Sequence, residues 1–330
     1  MKKQINMTDS ECDLGRFSSR EVLLTLLDGF DGLELMCFGE DISEKIPAGR
    51  VIGVHTVSLP FWYDFWTGNT RRCLEELGDE ETMAAYYGGS GPEALLAHYR
   101  RDIRAAERLG AKYMVFHVSD CTAAETMSGK FAHTDAEVTD AFCDIMNRLF
   151  PEDWAGPEIL VENLWQPGFT FLDPAMTKRL MDGIKCRKKG IMLDTGHLMN
   201  TNTALRTPAE ATAYIHSLLD KHGELCRLIR GVHLNLSLSG EYAEYVKTHL
   251  SGLSGSYEER SRILFEYIFK KDQHRPYTDS GVETLIERIR PEYLTLEFIT
   301  KDLEEHRAFI REQKAALPGV FKETRRRILS

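Results

Sequence analysis

Six residues of metal-binding type each close a short apolar run: His55 after VIGV, His117 after YMVF, Glu162 after EILV, Asp194 after GIML, His233 after IRGV and Glu297 after YLTL. Runs of this length read as buried strands, and an unpaired carboxylate or imidazole at a buried strand end is costly. One such histidine is ordinarily a hydrogen-bonded core residue. Six polar residues at six successive strand ends ask for a shared partner. A divalent cation satisfies carboxylates and neutral imidazoles together, with Mn²⁺, Mg²⁺, Co²⁺ or Zn²⁺ as candidates.

The six can meet only if their strands run side by side in one direction. Eight strand-like runs are present, at 3–7, 32–38, 51–58, 112–119, 158–164, 190–194, 229–237 and 293–298. Helical patterns separate them, as at 92–110, 135–150 and 207–223, the last with Thr207 as cap and Pro208 in the first turn. This alternation predicts an α/β protein built as a closed (β/α)₈ TIM barrel, a single domain over 1–330 with a helical tail from about 301. All strand ends then open on one mouth. The rival open sheet usually carries a glycine-rich phosphate turn, and neither GxGxxG nor a Walker sequence occurs.

Two connections are long: 59–91 after strand three, with LPFWYDFWTGN, and 238–291 after strand seven, with a helix around 257–269. Loops on that side of a barrel cover the active face. Trp62, Tyr63 and Trp66 are therefore expected as a substrate lid, with plain packing as the other reading. Glu34, inside strand two, reads as structural. His216, His222, His249 and His306 read as surface residues, and the basic run 322–327 as a solvated helix end.

Bulk properties narrow the partners. With 330 residues, 42% hydrophobic, the chain can bury a large core. Its net charge of −10 argues against broad binding to nucleic acid or acidic lipid, without excluding a local basic cleft. Seven cysteines without a CxxC pair suggest neither disulfides nor a zinc knuckle, so a reducing cytoplasm is expected. No signal-peptide core and no apolar run of the ~18–20 residues needed to cross a bilayer is evident.

The segments ILVENLWQPG, IMLDTGHLMN, GVHLNLSLSG and YLTLEF resemble the xylose-isomerase-like TIM-barrel superfamily, from about residue 30 to 300. That group includes sugar isomerases and epimerases, inosose dehydratases and abasic-site endonucleases of the endonuclease IV class. Resemblance to the ketose epimerases implies one divalent ion on Glu162, Asp194, His233 and Glu297. The two glutamates would then move protons through a metal-stabilised enediolate, and His197 would touch a substrate hydroxyl. Resemblance to endonuclease IV instead implies three zinc ions, adding His55, His117, His197, Asp272 and His274 as ligands. The asparagine and leucine after His233 depart from the acidic residue found there in many relatives.

The first expectation is thus a metal-dependent isomerase or epimerase of a small ketose, aldose or related polyol ketone, phosphorylated or not. An inosose dehydratase-like lyase would use nearly the same site. The alternative is a zinc phosphodiesterase resembling endonuclease IV. A sugar- or metal-binding barrel without catalysis is the third class. A carbohydrate is the expected partner, and relatives commonly pair as homo-oligomers.

Overall fold

Each of the eight apolar runs forms a strand: β1 (Lys2–Thr8), β2 (Gly32–Met36), β3 (Val51–His55), β4 (Tyr113–His117), β5 (Glu158–Glu162), β6 (Lys189–Asp194), β7 (Ile229–Leu234) and β8 (Tyr293–Leu296). The computed structural model describes residues 1–39, 41–249 and 253–322. Every strand runs parallel to its neighbour, and β8 pairs with β1, so the sheet closes on itself. Register sets the heights of the strand ends. His117 lies opposite Glu162, and Asp194 opposite His233.

The barrel interior is filled. Tyr113, Val115, Leu160, Met192 and Tyr293 pack inside it. Glycines make the room: a Cβ at Gly53 would sit 2.2 Å from the Tyr113 ring, and one at Gly231 would sit 2.6 Å from the Met192 sulfur. Above this layer Gln4 contacts Tyr113 and donates to Thr295 at 2.9 Å, while the Tyr113 hydroxyl donates to Glu34 at 2.5 Å. These polar side chains floor the mouth.

The outer helices follow their sequence signals. Pro92–Leu109 begins with proline and ends at Gly110, whose φ of +67° favours glycine. Asp135–Leu149 and Pro208–His222 begin with capping boxes, Thr134 with Glu137 and Thr207 with Glu210. Leu95, Leu96, Tyr99, Ile103 and Ala106 form the buried stripe of the first helix. Each large apolar member contributes roughly 1.5–3 kcal/mol by burial, which outweighs differences in helix propensity.

The long connections are more structured than expected. Residues 59–91 hold three short helices, Tyr63–Thr67, Thr70–Leu77 and Glu80–Tyr87, each ended by a glycine. Residues 238–291 hold Gly240–His249, Tyr257–Lys271 and Val282–Ile289. The tail contributes one helix, Leu303–Ala316, and beyond Lys322 the basic run lies outside the described residues. Two histidines expected at the surface are buried, His222 at 4% exposure and His306 at 3%. His222 is accommodated because its ring stacks on Phe171 and donates to the Leu218 carbonyl. All seven cysteines are free, and among the described residues no helix is long and apolar enough to cross a membrane.

Candidate metal centre

Glu162, at the end of β5, is fully buried and faces four imidazoles. Its Oε2 lies 3.1 Å from His55 Nε2 and 3.3 Å from His117 Nε2. Its Oε1 lies 3.1 Å from His233 Nδ1 and 3.3 Å from His197 Nδ1. One carboxylate therefore joins the ends of β3, β4 and β7 and the turn after β6.

That turn is built by the sequence DTGH. Asp194 Oδ1 accepts the His197 backbone N–H at 2.6 Å, capping the short helix Thr195–Asn200. Asn163 clamps the Asp194 backbone from both sides, donating to its carbonyl at 3.1 Å and accepting its N–H at 2.9 Å. Gly196 is required because a Cβ there would sit 1.9 Å from Asn235 Oδ1. Asn235 in turn donates to Asp194 Oδ2 at 2.8 Å. The tight turn carries His197 back over the mouth.

Donor atoms fall into three groups, each within 4.8 Å: His55, His117 and Glu162; Glu162, Asp194, His233 and Glu297; and His197, Asp272 and His274. His55, His233 and Glu297 also lie within that distance, so the first two groups overlap. Asp272, just past Tyr257–Lys271, directs Oδ2 at His197 Nε2 (3.1 Å) and His274 Nε2 (2.8 Å). Its Oδ1 accepts from Asn200 and Ser237, each at 3.2 Å.

Tautomers provide a test of fit. His55 Nδ1 donates to the Thr56 carbonyl and His197 Nδ1 to the Asn163 carbonyl, both at 2.9 Å. The other nitrogen of each neutral ring then points a lone pair at a carboxylate oxygen. Lone pair and anion repel unless a cation or proton lies between them. In His233 the roles are reversed: Nε2 sits 2.8 Å from Glu34, so Nδ1 faces Glu162 and Glu297. A carboxylate or carbonyl behind a histidine is the usual support of a metal ligand. The donor set fits divalent ions, with the many imidazoles favouring Zn²⁺ or Mn²⁺ over Mg²⁺.

The same forces move the proton affinities. Burial opposes charge on Glu162, but His233 and His117 outweigh it and hold that carboxyl well below the usual range. Burial likewise opposes charge on His233, and Glu297, Glu34 and Glu162 push it well above its ordinary value. Glu297 is pushed up to about 8 by burial, against the pull of His233 and His274. Without a cation, the carboxylates favour protons on His55, His197, His233 and His274, while burial disfavours one on His117. The side chains of His117 (26%) and Glu297 (12%) are the most exposed of the nine.

The expected lid departs from this picture. Trp62 is 1% exposed, packs on Phe142 and donates to the Ser119 carbonyl, so it is a core residue. Tyr63 lies against His133, just before the helix Asp135–Leu149, and Trp66 beneath the Arg148 guanidinium of that helix. Of the three rings only Trp62 is buried; Tyr63 and Trp66 are half-buried. Conversely, Asn163 gains a role that the sequence reading missed, and Glu34 and Asn235, noted there without a partner, are found to support His233 and Asp194. Asn163 and Asn235 had a signal in their positions, one and two residues after proposed ligands.

Residues 28–312 match the family described as xylose isomerase-like TIM barrel. The chain belongs to this family. Among solved structures it is similar to a D-tagatose 3-epimerase-like protein, with 16% identity, TM-score 0.51, and coverage of 97% of this chain and 98% of that one. Another similar structure, named AsfvAP:AG, has 10% identity, TM-score 0.52, and coverage of 97% and 99%. A D-psicose 3-epimerase in the presence of D-fructose gives 13%, 0.49, and 97% and 98%. No curated protein matches the sequence. At such identities the likeness is one of fold, and members of this fold group differ in what their mouths do.

Proposed function

We propose that this family member is a divalent-metal-dependent hydrolase of phosphate esters whose mouth holds three ions, as in the endonuclease IV reading of the sequence. The observation that carries the reading is Glu162, which joins two donor groups while His197, Asp272 and His274 make a third beside them. A single ion on Glu162, Asp194, His233 and Glu297 would leave Asp272 alone to satisfy the buried His197 and His274 rings, an expensive arrangement unless those rings take up protons.

The first ion would be held by His55, His117 and Glu162, the second by Glu162, Asp194, His233 and Glu297, and the third by His197, Asp272 and His274. When bound, such ions supply Lewis acidity toward phosphoryl oxygens and water. The chain's own part is positional. Glu34 holds the His233 ring, Asn163 and Asn235 hold Asp194, and burial keeps bulk water from most of the donors, His117 and Glu297 being the most exposed. The acidic surface favours a small ester over a polynucleotide.

The test is ion counting by mass spectrometry on protein purified without chelator, paired with turnover of bis(p-nitrophenyl) phosphate. Three ions per chain and turnover restored by Zn²⁺ or Mn²⁺ after chelation are expected. One ion and no turnover overturns the reading.

A second reading is the isomerase or epimerase of a small ketose. It is favoured by the completeness of the four-donor group Glu162, Asp194, His233 and Glu297, and by the D-tagatose 3-epimerase-like fold neighbour. Glu162 and Glu297 would then exchange the proton beside the carbonyl. Solvent deuterium entering a ketose, abolished in both Glu162→Gln and Glu297→Gln, is its signature.

A further inference from the structure

Two polar groups beside the third donor group take no part in holding ions. Lys271, the last residue of its helix, is 4% exposed. Buried ammonium groups are almost always paired, yet among the described residues Lys271 makes no ion pair. The nearby carboxylates are engaged elsewhere. Asp272 is taken by His197, His274, Asn200 and Ser237, and Glu244 by Lys247 at 2.8 Å. The Lys271 ammonium instead lies 5.5 Å from the centre of the Trp165 ring.

Trp165 meets the His197 ring edge-on with centroids 5.2 Å apart. Its indole Nε1 is buried and has no acceptor. A buried indole N–H without an acceptor and an ammonium without an ion pair thus meet at the Trp165 ring, against the His197–Asp272–His274 group. Leaving both bare costs stability, and an anion supplied from outside would satisfy both.

We propose that Lys271 and Trp165 form a subsite for a phosphate group of the substrate, at the edge of the His197–Asp272–His274 group. This deepens the hydrolase reading and rests on it for the identity of the anion. The subsite selects substrates that carry a phosphate positioned to reach both donors, and it positions that phosphate against the third donor group.

The experiment is calorimetric titration of the full-length protein with inorganic phosphate, with ion content counted for every variant. Lys271→Met keeps the side chain's length without its charge, Lys271→Arg keeps the charge, and Trp165→Phe keeps a ring without the N–H. Lys271→Met is expected to weaken phosphate binding at least about tenfold, and Trp165→Phe roughly threefold, at unchanged ion content. Lys271→Arg is expected to stay within about threefold of the parent. Phosphate binding unaltered in Lys271→Met, or absent from the parent, overturns the subsite. Ion content is read separately, so an ion-free parent overturns the hydrolase reading while the titration still decides the subsite.

Discussion

Glu162 and Asp272 make the ion stoichiometry separable by mutation. Glu162 contributes to two donor groups and Asp272 to one. Glu162→Gln is therefore expected to lose two ions and to lower turnover at least about a thousandfold, whereas Asp272→Asn loses one. Equal ion loss in the two variants, read by mass spectrometry, would contradict a shared carboxylate. His306 gives a second prediction, in stability. Burial, assisted by Arg16, pushes its imidazole down from 6.5 to about 4. As pH falls the unfolded chain binds this proton first, so the stabilisation is full above about 6.5 and is lost progressively toward 4. At about 1.4 kcal/mol per unit this amounts to at most about 3.5 kcal/mol. In His306→Leu that part of the acid sensitivity should vanish from melting curves taken between pH 6.5 and 4. The ligand types were legible because each stands out against an apolar run. The burial of His306 was not, because a histidine in an amphipathic helix looks the same facing either way.

At the scale of elements, the turn DTGH is the least tolerant piece. Gly196→Ala drives a methyl into Asn235, whose amide steadies Asp194, and should cost roughly 1–3 kcal/mol together with weaker ion retention. Thermal melts and ion counts on the same sample check both effects; an unchanged melt would show that Asn235 can move away freely. The strands were readable because burial on both faces makes a parallel strand a nearly continuous apolar run. The three short helices within 59–91 were not, since none is longer than eight residues and glycines interrupt the pattern. Glu34 was also opaque. A carboxylate within a strand acquires meaning only from Tyr113 and His233, contributed by strands 79 and about 200 residues away.

For the whole molecule, ions bound at the centre would hold the fold together as well as serve it. Glu162, Asp194, His233 and Glu297 come from four strands, so ions bound there oppose any opening of the sheet between β5 and β8. Chelation is expected to lower the melting temperature by at least about 5 °C, and Zn²⁺ or Mn²⁺ should restore it. A melt indifferent to chelator would mean that the side chains are held without ions. Barrel topology was legible from the count and alternation of elements. Which donors share an ion was not, because that depends on register between strands.

Closure of β8 against β1 has a consequence for biosynthesis. A chain still emerging from the ribosome holds His55, His117 and Glu162 long before Glu297 is made, and without β8 the sheet has an open edge where the mouth should be. Growing polypeptides can offer partial sets of donors but not the finished centre. If the proposed ions are bound, the one on Glu162, Asp194, His233 and Glu297 would be loaded only after the last strand is translated, so the supply of free ions would act on the final step of maturation.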